Sequence, residues 1–204
     1  MAAQSEQKPT VFIVDDDPAI RFALQALMVS VNLNHEIFES GDDFLNKITE
    51  QRPGCLVLDI RMPGLGGLEL QEELIKRGNT LPIIFITGHG DVPMAVEAMQ
   101  KGAVDFIQKP FRDQELLDRI REALATDEER REEQQQHAEV NERLDRLTNR
   151  EREVFDLVVT GKPNKVIAYE LGVSQRTVEI HRARVMEKMQ ARSLADLVKM
   201  HMTS

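Results

Sequence analysis

Cysteine is almost missing from this sequence of 204 residues, which contains Cys55 and no other. A framework of disulfide bonds is therefore excluded, and this usage fits a reducing compartment. No apolar run approaches the roughly 20 residues that a membrane-spanning helix requires. The opening residues, MAAQSEQKPT, lack the basic segment and apolar run of a secretory signal. We therefore expect a soluble protein that acts in the cytoplasm.

Basic residues are outnumbered, with 26 Lys and Arg against 35 Asp and Glu, and the net charge is -9. Taken as a total, this charge argues against a protein that binds nucleic acid. The charge is uneven, however, because residues 1–122 carry -8, residues 123–147 carry -4 and residues 148–204 carry +3. We predict a first domain at 8–124, a charged helical linker at 125–147 and a second domain at 148–204.

The linker segment consists almost wholly of charged and amide residues that favour helix. Its apolar seam is Val140, Leu144 and Leu147, at a heptad-like spacing over roughly two turns. The sequence favours a solvated linker helix, with a dimerising coiled coil as the alternative.

Apolar runs in the first domain are typical of buried strands. They lie at residues 10–14, 55–60, 82–87 and 104–108, with a weaker run at 35–38. Helix-like segments separate them, and this alternation predicts a parallel sheet covered on both faces. Five such units in about 115 residues fit a flavodoxin-like, doubly wound α/β fold, which binds ligands at the carboxyl ends of its strands.

Polar residues stand at those carboxyl ends. Asp15 and Asp16 follow the first strand, Asp59 ends the third, Thr87 ends the fourth and Lys109 follows the fifth. Crowded carboxylates require a cation, and a set of oxygen ligands favours Mg²⁺. A carboxylate beside Mg²⁺, with lysine and threonine donors nearby, can accept a phosphoryl group. Each residue alone fits a simple turn or helix start, but their convergence at one edge favours the phosphoryl site.

The motifs at this edge resemble the receiver domain of bacterial two-component response regulators, and the FixJ branch in particular. They are Val14-Asp15-Asp16, Asp59 with Met62-Pro63-Gly64, Thr87-Gly88 and Lys109-Pro110-Phe111, the last two within TGHGDVPMAVEAMQKGAVDFIQKPF at 87–111. The resemblance implies a CheY-like, five-stranded fold with Asp59 as the phospho-acceptor. It also implies that Mg²⁺ is held by Asp15, Asp16, Asp59 and the backbone carbonyl of Arg61.

The same resemblance implies a route for the signal. Thr87 and Lys109 would contact the phosphoryl group, and Thr87 would move inward and leave space for the ring of Phe106. The Lys109–Pro110 peptide bond is expected to be cis. The fourth helix and fifth strand would then repack, and similar proteins dimerise through this surface, which carries Val96, Gln100, Ala103 and Val104. Plain packing is the alternative for Val96 and Val104.

Residues 148–204 have the spacing of a helix-turn-helix within four short helices. Ala168 supplies the small residue where two helices approach, Gly172 supplies the turn, and Ser174 caps the helix that follows. Small helical bundles share this spacing, but basic residues are concentrated in this region. The segment LTNREREVFDLVVTGKPNKVIAYELGVSQRTVEIHRARVMEKM at 147–189 resembles the LuxR-type (NarL/FixJ) DNA-binding domain.

This second resemblance implies two kinds of DNA contact. Glu179, Ile180 and Ala183 would point at base edges, while phosphates would be held by Asn164, Lys165, Arg176, Thr177 and Arg184. Glu179 stands where some relatives have Lys. It could accept from a cytosine amino group, or it could be a solvated charge on the helix.

The two resemblances together imply a phosphorylation-activated, DNA-binding transcription regulator and not an enzyme. A sensor histidine kinase would phosphorylate Asp59 with Mg²⁺, and the activated homodimer would bind double-stranded promoter DNA. One alternative is a haloacid-dehalogenase-like phosphatase with Asp15 as its nucleophile, which leaves Asp59 and residues 148–204 without a role. Another is a DNA-binding scaffold independent of phosphorylation, which the intact acidic site opposes.

Overall fold

The computed structural model describes residues 8–48, 51–88 and 92–203, with Val92 described by its backbone alone. Residues 89–91 of the receiver motif lie outside these ranges. The chain divides into two compact units after Arg130. The strands of the first unit are β1 (Thr10–Val14), β2 (His35–Phe38), β3 (Gly54–Asp59), β4 (Ile83–Thr87) and β5 (Asp105–Gln108). Its helices are α1 (Pro18–Ser30), α2 (Gly41–Lys47), α3 (Gly67–Lys76), α4 (Val92–Gln100) and the start of α5 (Asp113–Asp145).

All the strands of the first unit pair in parallel, in the order β2-β1-β3-β4-β5. This arrangement confirms the CheY-like, doubly wound α/β fold. The weakest apolar run, at 35–38, forms β2 at an edge of the sheet, where three of its four residues are only partly buried. Its weak sequence signal follows from that edge position.

Helices cover both faces of the sheet. Phe12 of β1 packs on one face with side chains from α2, α3 and α4, and Val11 packs on the other face with side chains from α1 and α5. Because both faces are buried, the central strands are apolar at nearly every position instead of at alternate ones.

Local chemistry sets the ends of the elements beside the acidic edge. The side chain of Asp17 caps α1 by accepting from the backbone N–H of Ala19 at 2.8 Å, and Pro18 occupies the first turn. After β3, a Cβ at Gly67 would lie 2.3 Å from the carbonyl oxygen of Asp59. Glycine therefore allows α3 to begin against the strand that carries Asp59.

The start of the predicted linker belongs to the first unit. Asp127 of α5 is 2% exposed. Its Oδ2 accepts from the backbone N–H of Gly54 at 2.9 Å, and its Oδ1 accepts from Arg130 at 2.7 Å. The helix therefore continues past residue 125 while still bound to the amino-terminal end of β3.

The second unit contains the end of α5 together with α6 (Asn149–Val159), α7 (Asn164–Leu171), α8 (Gln175–Lys188) and α9 (Leu194–Thr203). Val140 and Leu144 of α5 are buried in its core with Phe155, Val178 and other side chains. The sequence favoured a solvated linker helix, with a coiled coil as the alternative. Instead, the two apolar side chains lie on one face of α5, and that face packs in the core of the second unit. Among the described residues, none of the helices has an apolar stretch sufficient to span a lipid bilayer.

Candidate phosphoryl-acceptor site and DNA-binding surface

Lys109 joins two carboxylates at the carboxyl edge of the sheet. Its Nζ lies 2.6 Å from Oδ1 of Asp59 and 2.9 Å from Oδ2 of Asp15. Asp59 and Asp15 are 7% and 1% exposed. The expected cis bond between Lys109 and Pro110 is present. Strands distant in sequence thus bring one ammonium group between two buried acids.

Backbone donors hold the second oxygen of each carboxylate. Oδ2 of Asp59 accepts from the N–H of Arg61 at 2.8 Å, and Oδ1 of Asp15 accepts from the N–H of Asp17 at 2.9 Å. Both acids are therefore fixed in orientation by the loops that follow β3 and β1.

The pKa values of this cluster reflect a balance of burial and charge. Burial raises the pKa of Asp59 above its ordinary value, with a further contribution from the charge of Asp15, while the hydrogen bond from Lys109 acts in the opposite direction. Burial works to lower the pKa of Lys109, but its hydrogen bonds to Asp59 and Asp15 outweigh that effect and raise it. Asp59 is thus a poorly solvated carboxylate whose charge depends on the neighbouring ammonium group.

The other predicted residues of this edge lie in different environments. Asp16 is exposed, and among the described residues no group of three Asp, Glu, His or Cys side chains forms a metal site. Thr87 is buried, and its hydroxyl donates to the carbonyl of Gly88 at 3.4 Å. The ring of Phe106 is 41% exposed. Arg61 lies beside Asp59, to which its backbone N–H donates.

The second unit contains the predicted helix-turn-helix. Ala168 is buried where α7 meets α8, and Gly172 ends α7 in a left-handed conformation with φ of 64°. The hydroxyl of Ser174 then caps α8 by accepting from the backbone N–H of Thr177 at 3.1 Å. Val178 is fully buried and Ile180 is 48% exposed, so one side of α8 packs on the core of this unit and the other side does not.

The residues with an expected DNA contact lie on this outer surface. Five of them are exposed along α8, namely Arg176, Glu179, Ile180, Ala183 and Arg184, and Lys165 is exposed on α7. Asn164 of α7 and Thr177 of α8 are half-buried. Thr177 already shares a hydrogen bond of 2.8 Å with the hydroxyl of Ser174. The basic and apolar residues of α7 and α8 are therefore accessible together.

Both units match known families. Residues 11–121 match the response regulator receiver domain, and residues 145–201 match the bacterial regulatory proteins of the luxR family. The chain belongs to the response regulators. With its LuxR-type domain, this response regulator is a phosphorylation-activated transcription regulator.

Relatives of this response regulator match it over nearly its whole length. Nodulation protein W of Bradyrhizobium diazoefficiens is 48% identical over 200 residues, which cover 98% of this chain and 88% of that protein. The transcriptional regulatory protein FixJ of Azorhizobium caulinodans is 46% identical, over 93% of this chain and 90% of that one. A solved structure of the response regulator StyR superposes with a TM-score of 0.87 at 44% identity, over 97% of this chain and 100% of that chain.

The expected dimer surface of the receiver needs one correction. Val96 is 51% exposed and Gln100 is also exposed, but Ala103 is only 7% exposed and packs in the core beside the sheet. Val104 is half-buried. Ala103 cannot offer a contact surface in this arrangement, since the chain turns inward there from α4 to β5. Met99 of α4, which is absent from the expected surface, is 39% exposed.

Arg21 also contacts the acidic edge, and the sequence does not predict this contact. Nη1 of Arg21 donates to the carbonyl oxygen of Asp15 at 2.7 Å, so a guanidinium group supports the strand end that carries Asp15 and Asp16. Its sequence signal is faint: Arg21 is a basic residue one helical turn after the capping Asp17. Nothing in that spacing distinguishes a contact with the site from a solvated charge.

Proposed function

We propose that Asp59 accepts the phosphoryl group and that the modified receiver controls the DNA-binding unit. The observation that supports this assignment is the bridge of Lys109 between Asp59 and Asp15, at 2.6 and 2.9 Å. It leaves a buried carboxylate beside an ammonium group that can neutralise incoming phosphoryl oxygens.

The proposed donor is a phosphohistidine of a sensor kinase. A carboxylate oxygen of Asp59 attacks the phosphorus atom, a P–O bond forms, and the P–N bond breaks with its electron pair left on the imidazole nitrogen. Lys109 has three N–H donors, so it can turn one of them to a phosphoryl oxygen while it keeps Asp15 as a partner.

The residues at this edge fit Mg²⁺, the ion that receiver domains generally bind. Mg²⁺ accepts one or two carboxylates and fills its other positions with water and phosphate oxygens, and Asp15 and Asp59 supply two buried carboxylates at one edge. Asp16 and the carbonyl of Arg61 are the further proposed ligands. When bound, the ion would offset negative charge on the transferring group.

Thr87 and Phe106 form the proposed switch. The hydroxyl of Thr87 donates to the carbonyl of Gly88 over a long distance, 3.4 Å, and a phosphoryl oxygen can replace this acceptor. Inward movement of Thr87 would leave space for the exposed ring of Phe106. This change would alter the α4–β5 surface, where Val96, Gln100 and Val104 are the proposed contacts of an activated homodimer.

Two copies of α8 would then bind half-sites about one helical turn apart on promoter DNA. Glu179, Ile180 and Ala183 would contact base edges, and Asn164, Lys165, Arg176, Thr177 and Arg184 would hold phosphates. We place this activity in the bacterial cytoplasm, where a kinase and the promoter are both accessible.

Acetyl phosphate labelled on phosphorus, supplied with Mg²⁺, tests the acceptor. The full chain should incorporate one label at Asp59 and bind promoter DNA more tightly, and Asp59→Asn should do neither. Asp118→Asn is the matched control, because Asp118 is an exposed acid of α5 that should leave labelling unchanged. Label on Asp15, or sustained turnover of phosphate esters, would instead support the phosphatase.

A further inference from the structure

Arg182 of α8 makes a contact that the proposed function does not use. Its Nη1 donates to Oδ1 of Asn164 at 3.0 Å, across 18 residues of sequence. Both side chains are half-buried. Arg182 follows the buried Val178 by one helical turn, so its stem lies at the edge of the core and its head reaches the first residue of α7.

The chemistry of this pair fixes the direction of the Asn164 amide. A guanidinium group can only donate, so Oδ1 must face Arg182, and the two N–H donors of Nδ2 must face away. A phosphate oxygen can only accept. A freely rotating Asn164 could present Oδ1 to that phosphate and be repelled, whereas the amide held by Arg182 presents donors.

We propose that Arg182 is a positioning residue, which orients Asn164 so that its amide donates to a phosphate of bound DNA. This inference rests on the proposed phosphate contact of Asn164. The first turn of α7 suits an anion, because within residues 92–203 no side chain caps its backbone N–H groups. In the same range no carboxylate pairs with Arg182, so the hydrogen bond to Asn164 has no acidic competitor.

The salt dependence of DNA affinity distinguishes a positioning residue from a residue that contacts a phosphate directly. A cationic side chain that touches a phosphate releases a counterion, and its removal lowers the slope of log affinity against log salt by about 0.9. A neutral amide that touches a phosphate releases none. If Arg182 acts through Asn164, its removal should weaken binding while the slope stays nearly constant.

The test measures the affinity of the full chain for a duplex of arbitrary sequence between about 50 and 200 mM salt, where phosphate contacts dominate. Arg182→Gln and Asn164→Ala should each weaken DNA binding several-fold. If Arg182 acts through Asn164, the double variant should bind DNA as tightly as Asn164→Ala alone. For each variant, the slope of log affinity against log salt should stay within about 0.3 of the slope of the unmodified protein. Arg182→Lys keeps the charge and a head group that can only donate, so it should recover part of the affinity with the slope unchanged. If Arg182→Gln unfolds, Arg182→Met, which keeps the apolar stem and removes the charge, takes its place in the same slope measurement.

Lys165→Gln is the control for a direct contact and should lower the slope by about 0.9. A similar drop in slope for Arg182→Gln, or additive losses in the double variant, would overturn the inference and make Arg182 a phosphate contact itself. If Lys165→Gln leaves both slope and affinity unchanged, the proposed phosphate surface is wrong, and the inference fails with it.

Discussion

Nζ of Lys109 and Oδ1 of Asp59 lie 2.6 Å apart, and this hydrogen bond acts against the rise that burial causes in the pKa of Asp59. Lys109→Met removes the hydrogen bond that opposes the effect of burial, so the pKa of Asp59 should rise further and its labelling by acetyl phosphate should slow by about tenfold or more. Carboxyl-carbon NMR titration and the labelling rate measure the two effects. Lys101→Met is the control, because Lys101 also bridges two carboxylates, those of Glu72 and Glu97, but away from the sheet edge. Equal slowing in both variants would contradict the prediction.

Glu151 should make the second unit sensitive to acid. Its hydrogen bond from Lys188, followed by that from the N–H of Thr148, lowers its pKa from 4.5 to about 2. Because the folded pKa lies below the unfolded one, the stabilisation is complete above about pH 4.5 and is lost as the pH falls toward 2. Glu151→Gln should cost about 1.5–3 kcal/mol at neutral pH and flatten this acid dependence.

Urea unfolding followed by the NMR signals of Tyr169 measures this effect, because Tyr169 is the single tyrosine and lies in the second unit. Glu153→Gln is the control: Glu153 is an exposed acid on the same helix, so its loss should change stability little. A variant of Glu151 with an unchanged acid dependence would show that the buried network is not its source.

Gly54 should tolerate no side chain. Its φ is 148°, and a Cβ there would lie 1.9 Å from the carbonyl oxygen of Thr10. Gly54→Ala should destabilise the first unit by about 3 kcal/mol or more, since the β1 backbone must move. Gly102→Ala also has a positive φ, of 92°, but meets open space, and should cost only about 1 kcal/mol. Chemical denaturation compares the two, and similar losses would refute the steric explanation.

Asp127 should hold the start of the predicted linker against the receiver. Asp127→Ala leaves the buried N–H of Gly54 without its partner and frees Arg130, at a cost of about 1–3 kcal/mol. Hydrogen exchange in a peptide covering residues 121–131 should accelerate more than in the rest of α5. Asp127→Asn retains an acceptor and should recover part of the protection. Unchanged exchange in Asp127→Ala would mean that this turn is held by other contacts.

Much of the phosphoryl site could be predicted because its parts are local. Strand periodicity locates the ends of β1, β3, β4 and β5, and a parallel sheet brings those ends to one edge. Asp15, Asp59 and Lys109 therefore follow from pattern and topology. The exposure of Asp16 and the contact of Arg21 do not, because both depend on side-chain directions in the loop after β1.

The linker shows where periodicity fails. Its composition correctly predicts a helix, but its apolar residues Val140 and Leu144 are buried in the core of the second unit and not against a second linker helix. The burial of Ala103 could not be predicted for a similar reason. A small residue at a helix-to-strand turn is equally compatible with a protein surface and with a core. In both cases the burial of the residue depends on side chains that pack against it in the folded chain and that are distant in sequence.

By itself, the sequence determined the helices and strands of both domains, the residues at the strand ends, the cap of α8 and the change in charge between the domains. These features depend on hydrophobic period, turn chemistry and residue type within a few positions. Tertiary structure alone decided that Lys109 bridges Asp15 and Asp59, that Asp127 binds Gly54 and that Arg182 reaches Asn164. These contacts span 18 to 94 residues, and only packing of the folded chain brings their atoms within hydrogen-bonding distance.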